Sequence, residues 1–411
     1  MLYLRFLREH WRFVGFGVFL TLMSSFGQTF YVALYGADIR AAYDLGNAGF
    51  GAMFSAASIA SALLLPSVGR LLDRVDVRVY TAVTLASLFA GMAVLSLTPD
   101  FWIFAVAMFV VRFTGQSLCV HIATTCMARY YTDERGRALG VTGMGLALGE
   151  GVLPSITVAM IAGVGWQETW LISAATFAAV AVILVPYLLK GHAERHRTFV
   201  ERQADEARRS ASGRSWTRAE VLRDPGFTAA MALLLSFPYM ATAVYFHQGF
   251  IADVRGWSLE TIAVGFMVLA VLKVATSLVL GGVIDRGGAT RLVPVISAPF
   301  AVSLLAILLS SHPLVPLVYL GLFGVTIGML QPVTSAFLAE RYGVANLGGI
   351  RSMATAVTVM GAAVAPFTTG WLLDASVSVS ALMVGFLAYL AVTTAVARIV
   401  LVRSTARGLP R

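Results

Sequence analysis

Residues 69–78 read GRLLDRVDVR, and residues 281–291 read GGVIDRGGATR. Each phrase closes a long apolar run in a chain of which only 12% is charged. The two are related by a shift of 212 positions, which carries Gly69 to Gly281, Asp73 to Asp285 and Arg74 to Arg286. The same shift carries Arg129-Tyr130 to Arg341-Tyr342, Gly136 to Gly348, Gly149 to Gly361 and Pro154 to Pro366. An ungapped register over this distance marks a duplicated unit, the sequence signature of a repeat architecture.

Between the charged phrases the composition is that of a membrane protein. With 58% hydrophobic residues and a mean hydropathy of +0.81, the chain holds more apolar side chain than a soluble domain of 411 residues can bury. The surplus lies in runs of about 18 to 25 residues, the length that crosses a ~30 Å hydrocarbon core as a helix. A bilayer demands internal partners for every backbone group, so these runs must be helical. They lack the alternation of barrel strands. Twelve spans are predicted, at 13–36, 48–70, 79–98, 101–127, 137–163, 168–189, 227–249, 259–283, 291–311, 314–338, 348–372 and 378–401. The segment 190–225 is polar, with nine basic and six acidic residues, and it divides the spans six and six. It reads as an interdomain linker with a surface helix through Glu201–Arg209. The expected fold is an all-α membrane protein of twelve transmembrane helices in two pseudo-symmetric six-helix bundles, 1–189 and 226–411, joined by the linker. Six is even, so the two copies keep one orientation, a plan known for transporters.

Charge placement supplies orientation and excludes other classes. Of the 30 basic residues, 26 fall on one set of alternate loops and only Arg40 and Arg255 on the other. The positive-inside rule then puts both termini and the linker in the cytoplasm. The net charge of +9 is therefore an orientation signal rather than a nucleic-acid footprint. The basic N-terminus leads into a full-length span with no small-residue cleavage site, and reads as a retained first helix. Cys119 and Cys126 lie about 10 Å apart along one helix, too far for a disulfide, and read as small core residues. His121, His247 and His312 lack metal-ligand spacing. No P-loop, dinucleotide fingerprint or nucleophile triad is present. Neither a cofactor nor an enzymatic activity is expected.

The two loop phrases resemble the motif between spans 2 and 3 of the major facilitator superfamily and its counterpart between spans 8 and 9. ARYYTDERGRALGVTGMGLALGEGVLP, at 128–154, is similar to the entry to span 5 in its monocarboxylate-transporter-like members. The resemblance covers essentially the whole chain and implies alternating access about a midplane cavity. In physical terms, Asp73 stands where it can face the N-terminus of span 11, near Gly348, and Asp285 that of span 5, near Gly136. A carboxylate at a positive helix end is worth roughly 0.3–1 kcal/mol when exposed and up to ~2 when partly buried. The expected gating set is Gly69, Asp73, Arg74, Gly281, Asp285, Arg286 and Glu340, with Glu340 an acidic partner for Arg286. The first-half equivalent of Glu340 is Ala128.

Charges present in one half only are the candidates for recognising cargo. Arg112 in span 4, Glu150 in span 5 and Lys273 in span 8 correspond to Gly324, Ala362 and Ser61. A charge at mid-span costs about 2.5–3.5 kcal/mol even on lenient insertion scales, so each requires a role. The resemblance implies that spans 4 and 8 approach the central cavity from opposite halves, where Arg112 and Lys273 would form an anion site. It also implies a cation of span 8 near Ser277 holding a substrate carboxylate, and Lys273 lies one helical turn away. Gln116, Gln28, Tyr31, Tyr239 and Gln331 are further candidate ligands, with Tyr245 on the same helix as Tyr239. Each of these polar residues is also suited to interhelical packing. Glu150 reads either as a proton carrier or as a structural partner of Arg112. The favoured function is a secondary transporter of a small organic anion, a monocarboxylate, coupled to a proton or working by exchange. The expected setting is a bacterial inner (plasma) membrane, with the protein a monomer in the lipid bilayer and no nucleic acid partner. One alternative is a proton-driven exporter of hydrophobic compounds, since Gly140 and Gly149 partly resemble an antiporter signature, although Leu153 replaces the glycine before Pro154. The other is a non-transporting membrane sensor.

Overall fold

The computed structural model of the chain describes residues 2–131, 134–195, 197, 218–343 and 347–406. Among the described residues the regular structure is helical, with no strand. Ten of the described helices are long and apolar enough to cross a bilayer: Asn47–Leu72, Val77–Leu97, Phe101–Tyr130, Gly136–Val164, Trp166–Leu188, Pro225–Phe246, Leu259–Leu280, Val315–Tyr342, Met353–Asp374 and Val379–Arg403. The first span is a bent pair, Arg8–Gly27 and Thr29–Ala42, turned by 44° at the break, and raises the number to eleven. The ninth predicted span is the apolar helix Pro294–Leu309, which is shorter than the others. Its shortness has a local cause. Pro294 sits at the start of a single 3₁₀ turn before the α-helix, and Ser310 is extended at its end. Sixteen residues at 1.5 Å each rise only about 24 Å.

The described residues gather into two compact units, one within Met1–Tyr35 and Ala56–Ser212, the other within Gly36–Ser55 and Gly213–Arg411. In the first, glycines bring span 5 onto span 1. A Cβ at Gly145 would strike Val18 and Thr21, and one at Gly149 would strike Ser25. Thr21 completes the contact by donating to the Thr142 carbonyl at 2.6 Å. The duplicated glycine works the same way in the second unit, where a Cβ at Gly361 of span 11 would strike Leu235 of span 7. The proposed surface helix at 201–209 lies outside the described residues. The start of the linker is docked: the Arg195 guanidinium sits 4.1 Å from the Phe13 ring centroid, and His192 stacks on the same ring.

In the second unit spans 8 and 10 meet backbone to backbone. Cβ atoms at Gly324 and Gly328 would strike the carbonyls of Leu269 and Lys273, and one at Gly265 would meet the carbonyl of Pro316. Small residues permit this approach, which is how helices associate where no hydrophobic effect drives them.

The same unit is pinned at the start of span 7 by Asp224. Its carboxylate accepts from the Gly226 amide at 3.0 Å, as an N-cap followed by proline should. It also takes Nε and Nη2 of Arg341 at 2.6 and 2.9 Å, and the Tyr342 hydroxyl at 2.6 Å. Burial works against this charge, but the bonds from Arg341, Tyr342 and Gly226 outweigh it and hold the Asp224 carboxyl below the usual carboxylate range. A carboxyl depressed by folding stabilises the fold in full above its unfolded pKa of about 4, and that contribution is lost as pH falls through its own lower value. Asp224→Asn should therefore cost roughly 1.5–3 kcal/mol at neutral pH. The check is the thermal midpoint in detergent, with the gap to wild type narrowing below about pH 4.

Candidate functional site

The first span breaks where its sequence, SSFGQTF, runs out of strong helix formers. Ser24–Gly27 tightens to a 3₁₀ turn, and Gln28 is extended with φ −80° and ψ 153° before the helix resumes at Thr29. At this break the chain presses against span 4, which itself loosens into a π-helical stretch over Arg112–Cys119. A Cβ at Gly27 would strike the Gln116 amide and the Val111 carbonyl, and one at Gly115 would strike Gly27. Only two glycines can face each other here. Arg112 closes the crossing: Nη1 donates to the Gly27 carbonyl at 2.8 Å and Nη2 to Ser58 Oγ of span 2 at 2.6 Å. The residue is 3% exposed.

Arg112, Gln28 and Gln116 are thus gathered at one crossing of the first unit, and both glutamines are half-buried. Tyr31 is fully buried instead. It accepts from the Tyr35 hydroxyl at 2.9 Å, and Phe26 and Trp170 lie edge-on to its ring, an environment of packing. Glu150 of span 5 is half-buried, and its chain neighbour Gly149 abuts Ser25 of the broken span.

In the second unit Lys273 is half-buried and lies where spans 8 and 10 touch, its carbonyl against Gly328. Ser277, one turn further on, is exposed. Tyr239 is half-buried, its hydroxyl 2.7 Å from Thr368 Oγ1 of span 11. Gln331 is exposed on span 10, and Tyr245 is half-buried against Phe266 and Phe323.

The repeat comparison sharpens at this point. Gly321, Gly324 and Gly328 of span 10 correspond to Phe109, Arg112 and Gln116 of span 4. The second unit uses Gly324 and Gly328 to let two backbones touch and Gly321 to seat the Val268 and Leu272 side chains, whereas the first fills the three positions with side chains, two of them polar. The chemistry of the candidate site occupies positions that its twin gives to packing.

The loop phrases divide their labour. Tyr80 donates to the Val68 carbonyl at 3.0 Å, and His121 Nε2 lies 3.2 Å from the Gly69 carbonyl. These side chains satisfy carbonyls at the end of span 2. A Cβ at Gly69 would crowd the His121 ring, which accounts for the glycine. Asp76 caps span 3 through the Arg78 amide at 2.7 Å, and Arg74 is exposed. The side chains of Asp73, Asp285 and Arg286 lie outside the described set; Gly281 lies within the helix Leu259–Gly287 and Gly348 in the first turn of Leu347–Asp374. Glu340 accepts from the Ala289 and Thr290 amides at 2.7 and 3.2 Å and from the Thr290 hydroxyl, holding the turn after span 8.

A carboxylate on a foreign helix start is present at the other ends of the helices. Asp374, closing span 11, accepts from the Asn47 and Ala48 amides at 3.1 and 2.7 Å and from Asn47 Nδ2 at 3.0 Å. Arg40 donates to Asn47 Oδ1 at 2.7 Å. Glycines tighten this seam, since Cβ atoms at Gly51 and Gly370 would strike the carbonyls of Pro366 and Asn47. His247 Nε2 lies 3.0 Å from the same Pro366 carbonyl. Sequence reading missed both Asp224 and Asp374, although each carried a signal. Asp224 stands in an Asp-Pro-Gly helix start. Asp374 ends a helix, where the macrodipole repels an anion unless another element engages it.

The family model of the Major Facilitator Superfamily matches residues 17–323. A protein described as an MFS-type transporter, from Gibberella moniliformis (strain M3125 / FGSC 7600), is 25% identical over 180 residues. That alignment covers 43% of this chain and 41% of the relative, so less than half the relative's length is matched. Solved transporter structures share the fold. A bacterial homolog of the human lysosomal transporter Spinster, in an inward-facing and unoccupied conformation, aligns with a TM-score of 0.66 at 14% identity, covering 94% of this chain and 96% of that one. The nucleoside transporter NupG aligns with a TM-score of 0.66 at 12% identity, covering 95% and 98%. The family match runs from the first span into the tenth and takes in the first loop phrase and its twin, so this chain of duplicated apolar helices belongs to the major facilitator superfamily.

Proposed function

We propose that the protein is a secondary transporter that carries a small organic anion, a monocarboxylate, by alternating access between two six-helix bundles, 1–189 and 226–411. The observation that supports the cargo is Arg112, a guanidinium inside the membrane whose Nη2 donates to the neutral hydroxyl of Ser58. A carboxylate is a stronger acceptor than a hydroxyl, because charge-assisted hydrogen bonds are roughly twice as strong as neutral ones. An arriving anion can take over that donor while Nη1 stays on Gly27. Gln28 and Gln116 stand at the same crossing to donate to the anion, and Lys273 supplies a second positive charge from span 8. Glu150, next to the glycine that meets the broken span, is the proton carrier in this reading.

Gating follows from contacts that are specific but weak. Asp374 on the start of span 2 is a dipole-plus-hydrogen-bond latch, and the loop phrases with Asp73, Arg74, Asp285 and Arg286 serve the opposite face. The positive loops support a reading in which that face, the linker and both termini are cytoplasmic and the protein works as a monomer in a bacterial inner membrane.

Proteoliposomes with an imposed proton gradient and radiolabelled lactate test the cargo. Lys273→Gln should abolish saturable uptake while the protein elutes and melts as wild type; unchanged uptake would reject the anion assignment and leave the family untouched. Arg112→Lys keeps the charge but loses the forked reach, and KM should rise about tenfold, the equivalent of 1.4 kcal/mol. Ser58→Ala removes the resident acceptor and leaves the guanidinium in place, so KM should hold or fall. A rise in KM for Ser58→Ala matching that of Arg112→Lys would mean that the pair merely braces the helices.

A further inference from the structure

A groove of about 1060 Å³ runs between spans 3 and 6 of the first unit. Its walls include Ala82 and Ala86 from span 3 and Ala178 and Ala181 from span 6, and these small residues leave room where two outer helix faces would otherwise interlock. Polar groups are confined to one end, where Arg78 and Lys190 close the lining. Both are exposed. The lining reaches from residue 78 to 89 on one helix and from 178 to the end of the other at Leu188, with Leu189, Lys190 and Gly191 just beyond it. At 1.5 Å per residue the helical stretches rise about 15–17 Å. That is close to half of a ~30 Å hydrocarbon core, the depth of one leaflet.

The charged end also carries the marks of a membrane interface. The Lys190 ammonium lies 5.4 Å from the Tyr187 ring, and the Arg12 guanidinium 5.3 Å from the same ring. Trp11 sits beside Tyr187 with centroids 5.9 Å apart. Tryptophan and tyrosine gather at headgroup level, so the two cations of the groove stand where a lipid phosphate would be. The nearby Asp76 carboxylate is engaged on the Arg78 amide at the start of span 3. The last arginine of GRLLDRVDVR thereby gains a task beyond orientation.

We propose that this groove is a binding site for one anionic phospholipid, an acyl chain lying along the alanine floor and the headgroup phosphate held between Arg78 and Lys190. Charge complementarity selects this occupant. A second copy of the chain docking by two-fold symmetry would offer the groove its own Arg78 and Lys190 or its own apolar floor, and neither supplies an anion. The leaflet is the cytoplasmic one on the orientation proposed above; the site itself does not depend on the cargo.

Native mass spectrometry of the detergent-purified protein, titrated with dioleoyl phosphatidylglycerol or dioleoyl phosphatidylcholine, tests it. Wild type should retain the anionic lipid in preference to the zwitterionic one. Each basic side chain near an anionic headgroup contributes about a fivefold gain, so Arg78→Gln with Lys190→Gln should lower phosphatidylglycerol affinity by roughly 25-fold, to the phosphatidylcholine level. Ala82→Trp with Ala178→Trp fills the floor and should lower both lipids together. Glycerol phosphate in solution should fail to compete, since it brings no chain. Equal retention of both lipids by wild type, undiminished phosphatidylglycerol binding in the doubly neutralised variant, competition by glycerol phosphate alone, or a dimer mass that displaces lipid would each overturn the proposal. Both variants are to be compared at matched thermal midpoints; the Gln pair lies on exposed positions and retains the fold.

Discussion

In hydrocarbon a helix can break only where something other than water takes up the backbone groups that the break releases. The first span breaks at Ser24–Gln28, and Arg112 reaches across from span 4 to the Gly27 carbonyl. Much of the first unit's interior follows from that one bond. Gly27 and Gly115 must both lack side chains for the chains to come close enough, and span 4 relaxes into a π-helical stretch beside the contact. Ser58 brings span 2 to the remaining arm of the guanidinium. A cation that is expensive to place in a membrane is made tolerable by the polar groups that an imperfect helix provides.

The carboxylates of the second unit show a second rule. Asp224, Glu340 and Asp374 all stand at helix ends, and each accepts from backbone amides at the start of a helix or turn. Asp224 caps its own helix and clamps the Arg341-Tyr342 pair from another. Asp374 caps a helix distant in sequence. Such contacts add specificity at the membrane surface without placing uncompensated charge in its core.

Much of this was legible in the sequence. The 212-residue shift, the apolar runs and the arginine loops identify a duplicated helical membrane protein, because length and hydropathy leave a bilayer few alternatives. The short ninth helix and the kinked first were not legible. Both depend on where proline and an extended glutamine interrupt a hydrogen-bond ladder, and hydropathy does not register that. Within the candidate site, Arg112 stood out as a charge without a twin. Its partners did not, since a backbone carbonyl leaves no trace in composition and Ser58 is one hydroxyl among many. Tyr31 was singled out for its polarity, yet its hydroxyl is matched locally by Tyr35 and its ring is core. Asp374 and Asn47 are 327 residues apart, and no local pattern announces such a pair.

The glycine row of span 10 has a consequence for how such a chain can diversify. At positions 324 and 328 an added Cβ strikes the backbone of span 8, and at 321 it crowds the Val268 and Leu272 side chains, whereas the corresponding sites in span 4 accommodate Phe109, Arg112 and Gln116. Of two sister copies, one is therefore kept bare at these places by sterics, and the other has room there for side chains, one of which, Arg112, it has built into its own frame. Duplication lets a single scaffold hold its shape with glycine in one half and with a charged brace in the other.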